Sequence, residues 1–360
     1  MKKDSRIYIA GHTGLVGSSL YRRLYADGYS NLIVRDHSDL DLTRQKEVEV
    51  FFQSEKPEYV FLAAAKVGGI MANHTYPAEF IYANLAIQNN VIHSAYKTGV
   101  KRLLFLGSSC IYPKECPQPM KEEYLLTGLL EPTNEPYAVA KIAGIKMCQA
   151  YNRQYGTQYL CVMPTNLYGP NDNFDLETSH VLPALIRKFH LAKLAYQRDW
   201  EGIRNDERTF GRIPEDVKSS IGIETIFPDS QKTTPDTRPL VLLWGSGNPR
   251  REFLHVDDVA DACVFLSRLK SGDLHQFFNR SHIPLINIGC GIDQTIRNIT
   301  ELVGEVVGYG GEVCWDKNKP DGTPQKLLDI SQIKRLGWRP KIDLRDGIKS
   351  VYKWYLKHTD

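Results

Sequence analysis

Along the first two-thirds of the chain, short apolar and β-branched runs alternate with longer amphipathic stretches. The runs are RIYIA at 6–10, NLIVR at 31–35, YVFLAAA at 59–65, RLLFLGSS at 102–109 and YLCVMPTNLYG at 159–169. Each is apolar almost throughout, as a strand covered on both faces must be; a sheet with one wet face would alternate polar and apolar residues. Such strands separated by helical stretches predict an α/β fold, a Rossmann-like doubly wound parallel sheet with a smaller C-terminal domain.

The pattern loosens after about residue 180. From about Lys193 to Leu240 the chain is rich in Asp, Arg, Pro, Ser and Thr, with weak periodicity. It reads as an insertion, chiefly a surface elaboration, with a helix of its own expected around YQRDWEGIRND, because compact domains seldom carry structureless loops beyond about 15 residues. Regular structure resumes in PLVLLWGSG, REFLHVDDVADACVFL and PLINIGCG.

Composition narrows the class. A chain of 360 residues, 42% hydrophobic, can bury a sizeable core. Its formal charge of +3 comes from mixed signs rather than single-sign blocks, so neither a nucleic-acid partner nor a membrane surface is indicated. The seven cysteines form an odd set without CxxC or metal-ligand spacing, which predicts reduced thiols, a reducing compartment and no metal site. The opening MKKDSRIYIAGHTG lacks the roughly 7–15 apolar residues of a signal peptide, and no run approaches the roughly 18 of a membrane span. A soluble, cytoplasmic protein is expected.

Candidate chemistry begins where the first strand ends, in Gly11-His12-Thr13-Gly14-Leu15-Val16-Gly17. Glycines at this spacing let the backbone turn sharply, approach a pyrophosphate and seat a helix against the strand; the helix N-terminus then offers free N–H groups to phosphate. At the end of the second strand stand Arg35 and Asp36, which send opposite signals: Asp pairs with the ribose hydroxyls of NAD, Arg accommodates the 2′-phosphate of NADP.

Further on, Tyr137 and Lys141 lie one helical turn apart. Reducing a ketone leaves negative charge on oxygen, so a phenol there can donate a proton, and a neighbouring ammonium is expected to lower its pKa. Lys141 could also hold the nicotinamide ribose. Ser108 or Ser109, at the C-terminal end of a strand, would hydrogen-bond the same substrate oxygen. Glycine turn, strand-end serine and Tyr-Lys pair together point to a dehydrogenase or reductase site.

Several longer blocks, AAAKVGGI at 63–70, LGSSCIYP at 106–113, EPTNEPYAVAKIAGIK at 131–146, MPTNLYGPNDNF at 163–174 and KPDGTPQKLLD at 319–329, resemble the GDP-L-fucose synthases, extended short-chain dehydrogenase/reductases. The resemblance covers about 6–192 and 241–356 and leaves out only the insertion. It implies an NADP-binding Rossmann domain at 1–178, completed by about 241–280, and a mainly substrate-binding domain at 179–360, with the insertion at about 193–240.

The activity it implies is 3,5-epimerisation of the small-molecule substrate GDP-4-keto-6-deoxy-D-mannose followed by C4 reduction with NADP(H), in an enzyme that pairs as a homodimer through helices of the first domain. A C4 ketone acidifies both neighbouring carbons, so one base and one acid flanking the sugar serve both inversions. The resemblance assigns the base to Cys110, the acid to His180 and the C4 proton donor to Tyr137, with Ser108 and Lys141 completing the catalytic set. The cofactor would rest on Gly11 to Gly17, Arg35, Leu106, Gly107, Ser108, Ser109, Lys141, Pro164, Thr165, Asn166, Leu167 and His180. Lys188, Trp244, Arg251, Asp321 and Lys326 would hold the GDP-sugar. Thr13, where some members carry a basic residue, and Asp36 depart from the pattern expected for NADPH.

Three rivals share some of these features. A sugar-nucleotide 4-epimerase would carry a small residue such as Thr in place of Cys110. A simple 4-ketoreductase would need no Cys110/His180 pair, and a non-catalytic dinucleotide sensor would need neither Ser108 nor Tyr137.

Overall fold

The computed structural model describes residues 1–223, 239–278, 283–319 and 321–359. The chain forms two compact units, each assembled from three separate segments. The first comprises Met1–Leu167, Glu252–Ile292 and Leu327–Ile342; the second comprises Tyr168–Arg251, Asp293–Lys326 and Asp343–Asp360.

The first unit is built on a six-stranded, wholly parallel sheet in the order Leu32–Ile33, Ile7–Ala10, Tyr59–Leu62, Arg102–Leu106, Tyr159–Pro164, Leu285–Ile288. The α/β, Rossmann-like arrangement read from the apolar runs is therefore the one observed. Ile7, Ile9, Leu62, Leu103, Leu160, Val162 and Ile286 are all fully buried, which is why these segments lack polar alternation. Helix Leu15–Ala26 packs with Val256–Arg268, and Pro77–Lys97 with both Gln45–Glu55 and Glu135–Tyr155. After Ile7–Ala10 the chain pairs first on one side, through Leu32–Ile33, and then on the other, through Tyr59–Leu62. Strand order thus reverses beside the Gly11 turn, where open α/β sheets bind ligands.

A polar knot lies beneath the Cys110 loop. The Tyr112 hydroxyl donates to Asn287 Oδ1 (2.5 Å), Asn287 Nδ2 to the Met120 carbonyl (2.9 Å), and the Asn287 N–H to Glu122 Oε1 (3.0 Å). Burial pushes the Glu122 carboxyl up to about 7, and the Asp329 carboxylate adds to the rise. Between its ordinary value and 7 the folded state holds a proton that the unfolded state has lost, so this group withdraws stability as pH rises through that window. Glu122→Gln, which keeps the acceptor without the charge, is expected to raise Tm at pH 8 and leave it nearly unchanged at pH 4; thermal unfolding at the two pH values checks this.

The second unit centres on helix Val181–Gln197, which packs against Ile296–Val307 and Trp200–Phe210. Strand Leu240–Trp244 runs parallel to Glu312–Asp316, and Gln325–Lys326 pairs with Arg250–Arg251. The stretch read as a surface elaboration is largely structural. Helix Val181–Gln197 extends into it, Trp200–Phe210 and Glu215–Ser220 follow, and Ile203, Ile213, Val217, Ile221 and Ile223 are buried. The remainder, 224–238, lies outside the described residues. Among the described residues no helix is long and apolar enough to cross a membrane, and all seven cysteines are free thiols.

Candidate active site

In the first unit, the Gly11–Gly17 turn has the shape of an anion cradle. Gly11 adopts φ +83°, and a Cβ there would lie 2.8 Å from the Ala64 backbone. A Cβ on Gly17 would fall 1.9 Å from the Gly11 carbonyl oxygen, so the helix can seat on the strand only without a side chain there. Gly14 caps helix Leu15–Ala26 without a side-chain hydrogen bond, leaving the first-turn N–H groups for an anionic ligand. Thr13 and Gly14 are exposed, while Leu15 and Val16 are half-buried.

The conflicting pair at the second strand is resolved into two separate contacts. Arg35 donates to Glu55 and to the Val34 carbonyl (2.7 Å), with its guanidinium 5.5 Å from the Phe51 ring centroid. Asp36 faces the His12 imidazole at 3.5 Å. A 2′-phosphate reaching for Arg35 therefore competes with Glu55.

Four catalytic candidates gather beyond the strand Arg102–Leu106. Helix Glu135–Tyr155 has Pro136 in its first turn and ends on Gly156 at φ +68°. It carries Tyr137 and Lys141 on one face, and the Lys141 ammonium sits 5.7 Å from the Tyr137 ring centroid. Lys141 Nζ donates to the Leu106 carbonyl (2.9 Å), and burial lowers its pKa to about 8. Tyr137 departs from expectation. Desolvation, reinforced by the nearby Cys110, raises its phenol, and only a hydrogen bond with Ser108 works the other way. The phenol is thus held protonated at neutral pH, the state a proton donor requires, while the ammonium is anchored on a carbonyl one turn away. Cys110 is buried within the short helix Ser109–Ile111. Gly107 is fixed by its N–H to the Val162 carbonyl (2.9 Å), with Met163 where a Cβ would go.

The strand end at 164–167 is fixed by a residue that sequence reasoning passed over. Asn166 Nδ2 and Thr165 Oγ1 both donate to the Glu252 carbonyl (2.8 and 3.2 Å). The Glu252 carboxylate, fully buried, accepts from the N–H groups of Gly291 (2.6 Å) and Leu328 (3.0 Å). A lone Glu inside the apolar run following Arg251 was the available signal. Pro164 closes the pairing with Ile288, and Leu167 packs on the core.

In the second unit, His180 caps helix Val181–Gln197, and surrounding protein lowers its imidazole pKa by desolvation even though solvent reaches the residue. Lys188, two turns on, is half-buried with Nζ 3.5 Å from the Leu242 carbonyl; burial lowers its pKa, against the pull of Asp216. The other candidates surround the far end of that strand. Trp244 is 56% exposed, with Lys319 Nζ 5.0 Å from its ring centroid. Arg251 donates to the Thr323 carbonyl (2.6 Å), and Lys326 pairs beside it. Asp321 accepts from the Ser246 N–H (2.9 Å) and hydroxyl (2.6 Å), bonds that lower its carboxyl pKa and pin the Gly245–Ser246 turn. An indole face, three cations and a turn-fixing carboxylate make a surface suited to a nucleoside diphosphate.

Residues 7–211 and 231–279 match the NAD dependent epimerase/dehydratase family. The chain is 54% identical over its whole length to a putative GDP-L-fucose synthase 2 of Arabidopsis thaliana, covering 94% of that protein. It is 47% identical to the GDP-L-fucose synthase of Escherichia coli K12, covering 99% of this chain and 98% of the relative. Among solved structures, MlghC, a GDP-mannoheptose C4 reductase from Campylobacter jejuni with NADP bound, matches with a TM-score of 0.82 at 42% identity, covering 99% of each chain.

Proposed function

The chain belongs to the NAD dependent epimerase/dehydratase family, and we propose that it converts GDP-4-keto-6-deoxy-D-mannose to GDP-L-fucose by inverting C3 and C5 and then reducing C4. The observation that carries this reading is the cluster of Ser108, Cys110, Tyr137 and Lys141 in one unit, with a protonated phenol beside a thiol and an anchored ammonium.

The cofactor is NADP(H), which supplies the hydride for C4 when bound. The chain's own residues do the rest. The bare N-terminus of helix Leu15–Ala26 and its glycine turn hold the pyrophosphate. Ser108 and Tyr137 hydrogen-bond the C4 oxygen, stabilising the enolate formed when Cys110, as its thiolate, takes a proton from C3 or C5 and becomes the thiol. His180 returns a proton to the carbon as the acid of the pair. In the last step Tyr137 protonates the C4 oxygen, with Lys141 stabilising the phenolate it leaves. Lys188, Trp244, Arg251 and Lys326 hold the GDP moiety, and Asp321 shapes the turn beside it.

The reading includes a homodimer through helices Pro77–Lys97 and Glu135–Tyr155, whose surfaces expose Tyr82, Val139 and Tyr155, and a cytoplasmic setting in keeping with seven free thiols.

A second reading, C4 reduction without epimerisation, is favoured by the likeness to MlghC. Turnover in D2O separates the two. Deuterium at both C3 and C5 of the product supports the proposal; reduction without deuterium supports the ketoreductase. Cys110→Ser and His180→Gln are each expected to lower deuterium incorporation by about 10²–10⁴-fold. Full incorporation in either variant would remove that residue from the acid/base pair.

A further inference from the structure

The loop that delivers His180 is not held by its own hydrogen bonds alone. Asp175 Oδ1 accepts from the Glu177 N–H (3.0 Å), the Thr178 N–H (3.0 Å) and the Thr178 hydroxyl (2.9 Å), and its carbonyl accepts from the Ser179 N–H (2.8 Å). On either side of this turn, Asp172 Oδ2 and Ser179 Oγ are buried without a partner. Buried polar atoms left unpaired weigh against the conformation that buries them. The loop therefore needs an outside brace.

Arg187 supplies one. It lies on the helix that His180 caps and is completely buried. Its Nη1 donates to the carbonyls of Phe174 (3.1 Å), at the start of the loop, and Phe210 (2.8 Å); Nη2 donates to the Gly211 carbonyl (2.5 Å). Its Nε is paired with Asp206 Oδ1 (2.8 Å), and Asp206 Oδ2 accepts from the Tyr355 hydroxyl. One guanidinium thus ties the His180 loop to the end of helix Trp200–Phe210. Gly211 seals the contact. It adopts φ +92°, and a Cβ there would stand 2.7 Å from Asp175 Oδ2.

We propose that Arg187 is a positioning residue for His180, and that helix Trp200–Phe210 with its Gly211 turn is the brace through which it acts. Resting on the assignment of His180 as the epimerisation acid, this gives a mechanistic role to a segment otherwise outside the chemistry. Displacing a catalytic group by about 1 Å can cost about 10²-fold in rate, so disturbing the brace slows proton transfer at carbon while sparing hydride transfer.

The test uses Gly211→Ala and Arg187→Lys in the full-length protein. Deuterium incorporation at C3 and C5 reports proton transfer at carbon, and NADP-dependent oxidation of GDP-L-fucose reports the hydride step alone. Both variants are expected to lose incorporation by about tenfold or more relative to the oxidation rate. Gly211→Ala combined with His180→Gln is expected to lose no more than His180→Gln alone, because the brace acts through that imidazole. If both rates fall together, Arg187 merely supports the fold and the inference is overturned. If incorporation is normal in both brace variants while His180→Gln is impaired, the inference fails and the acid assignment stands. If His180→Gln itself exchanges normally, both are overturned.

Discussion

Tyr137→Phe is expected to lower kcat for C4 reduction by about 10²–10⁴-fold, the usual contribution of a positioned general acid. Desolvation raises the phenol and so keeps its proton in place at neutral pH, and its hydrogen bond with Ser108 points it at the oxygen that Ser108 also serves. Lys141 Nζ spends one of its donors on the Leu106 carbonyl, which anchors it as a fixed charge beside the phenol. The substitution removes one oxygen and leaves the ring packed edge-on against Phe80, at 6.4 Å between centroids. Tm is therefore expected to stay close to the parent value. Single-turnover NADPH oxidation, with thermal unfolding as control, measures both quantities. A loss below about tenfold would place the C4 proton donor elsewhere.

The largest expected stability effect belongs to Asp206→Ala, at about 3–5 kcal/mol. Arg187 and Asp206 are both fully buried. Removing the carboxylate leaves a guanidinium with carbonyl acceptors but no counter-charge, and leaves the Tyr355 hydroxyl without its acceptor. Each kcal/mol is worth roughly 2–4 °C in a domain of moderate size, so Tm should fall by about 10 °C. Asp206→Ala combined with Arg187→Met should recover much of that loss, because the cost lies in the orphaned charge rather than in the absent pair. Calorimetry of the two variants beside the parent decides it; equal destabilisation in both would show that the charge is not what matters.

The parallel sheet was legible because burial on both faces leaves an unmistakable trace: Ile7, Leu103 and Leu160 sit in runs with nothing polar to interrupt them. The glycine turn was legible because its steric requirements admit no other residue at Gly17. The region after Lys193 misled for the opposite reason. Asp206 is a charged residue in the core, and a hydrophobic pattern scores it as surface; only its partner, 19 positions earlier and itself charged, explains it. Glu252 escaped for the same reason, its carboxylate being spent on backbone N–H groups from distant segments. The Tyr137 pKa was misjudged because spacing reveals a neighbouring ammonium but not the loss of water around the phenol.

The dispersal of the first unit along the chain governs how it can be made. The strand Tyr159–Pro164 is an outer edge of the sheet until Leu285–Ile288 arrives to pair with it. At ordinary ribosomal rates the roughly 120 residues between them take on the order of ten seconds to synthesise. Throughout that interval the nascent chain presents an unpaired, wholly apolar strand edge, the kind of surface that recruits other chains. Further ties arrive later still: Trp338 Nε1 donates to Asp261 Oδ2 at 2.9 Å, and the N–H groups of Lys341 and Ile342 close on the Asp258 carboxylate at 3.0–3.1 Å. The dinucleotide fold, begun at Ile7–Ala10, is closed only once Leu285–Ile288 and Leu327–Ile342 have been made, and its edge stays open to other chains meanwhile.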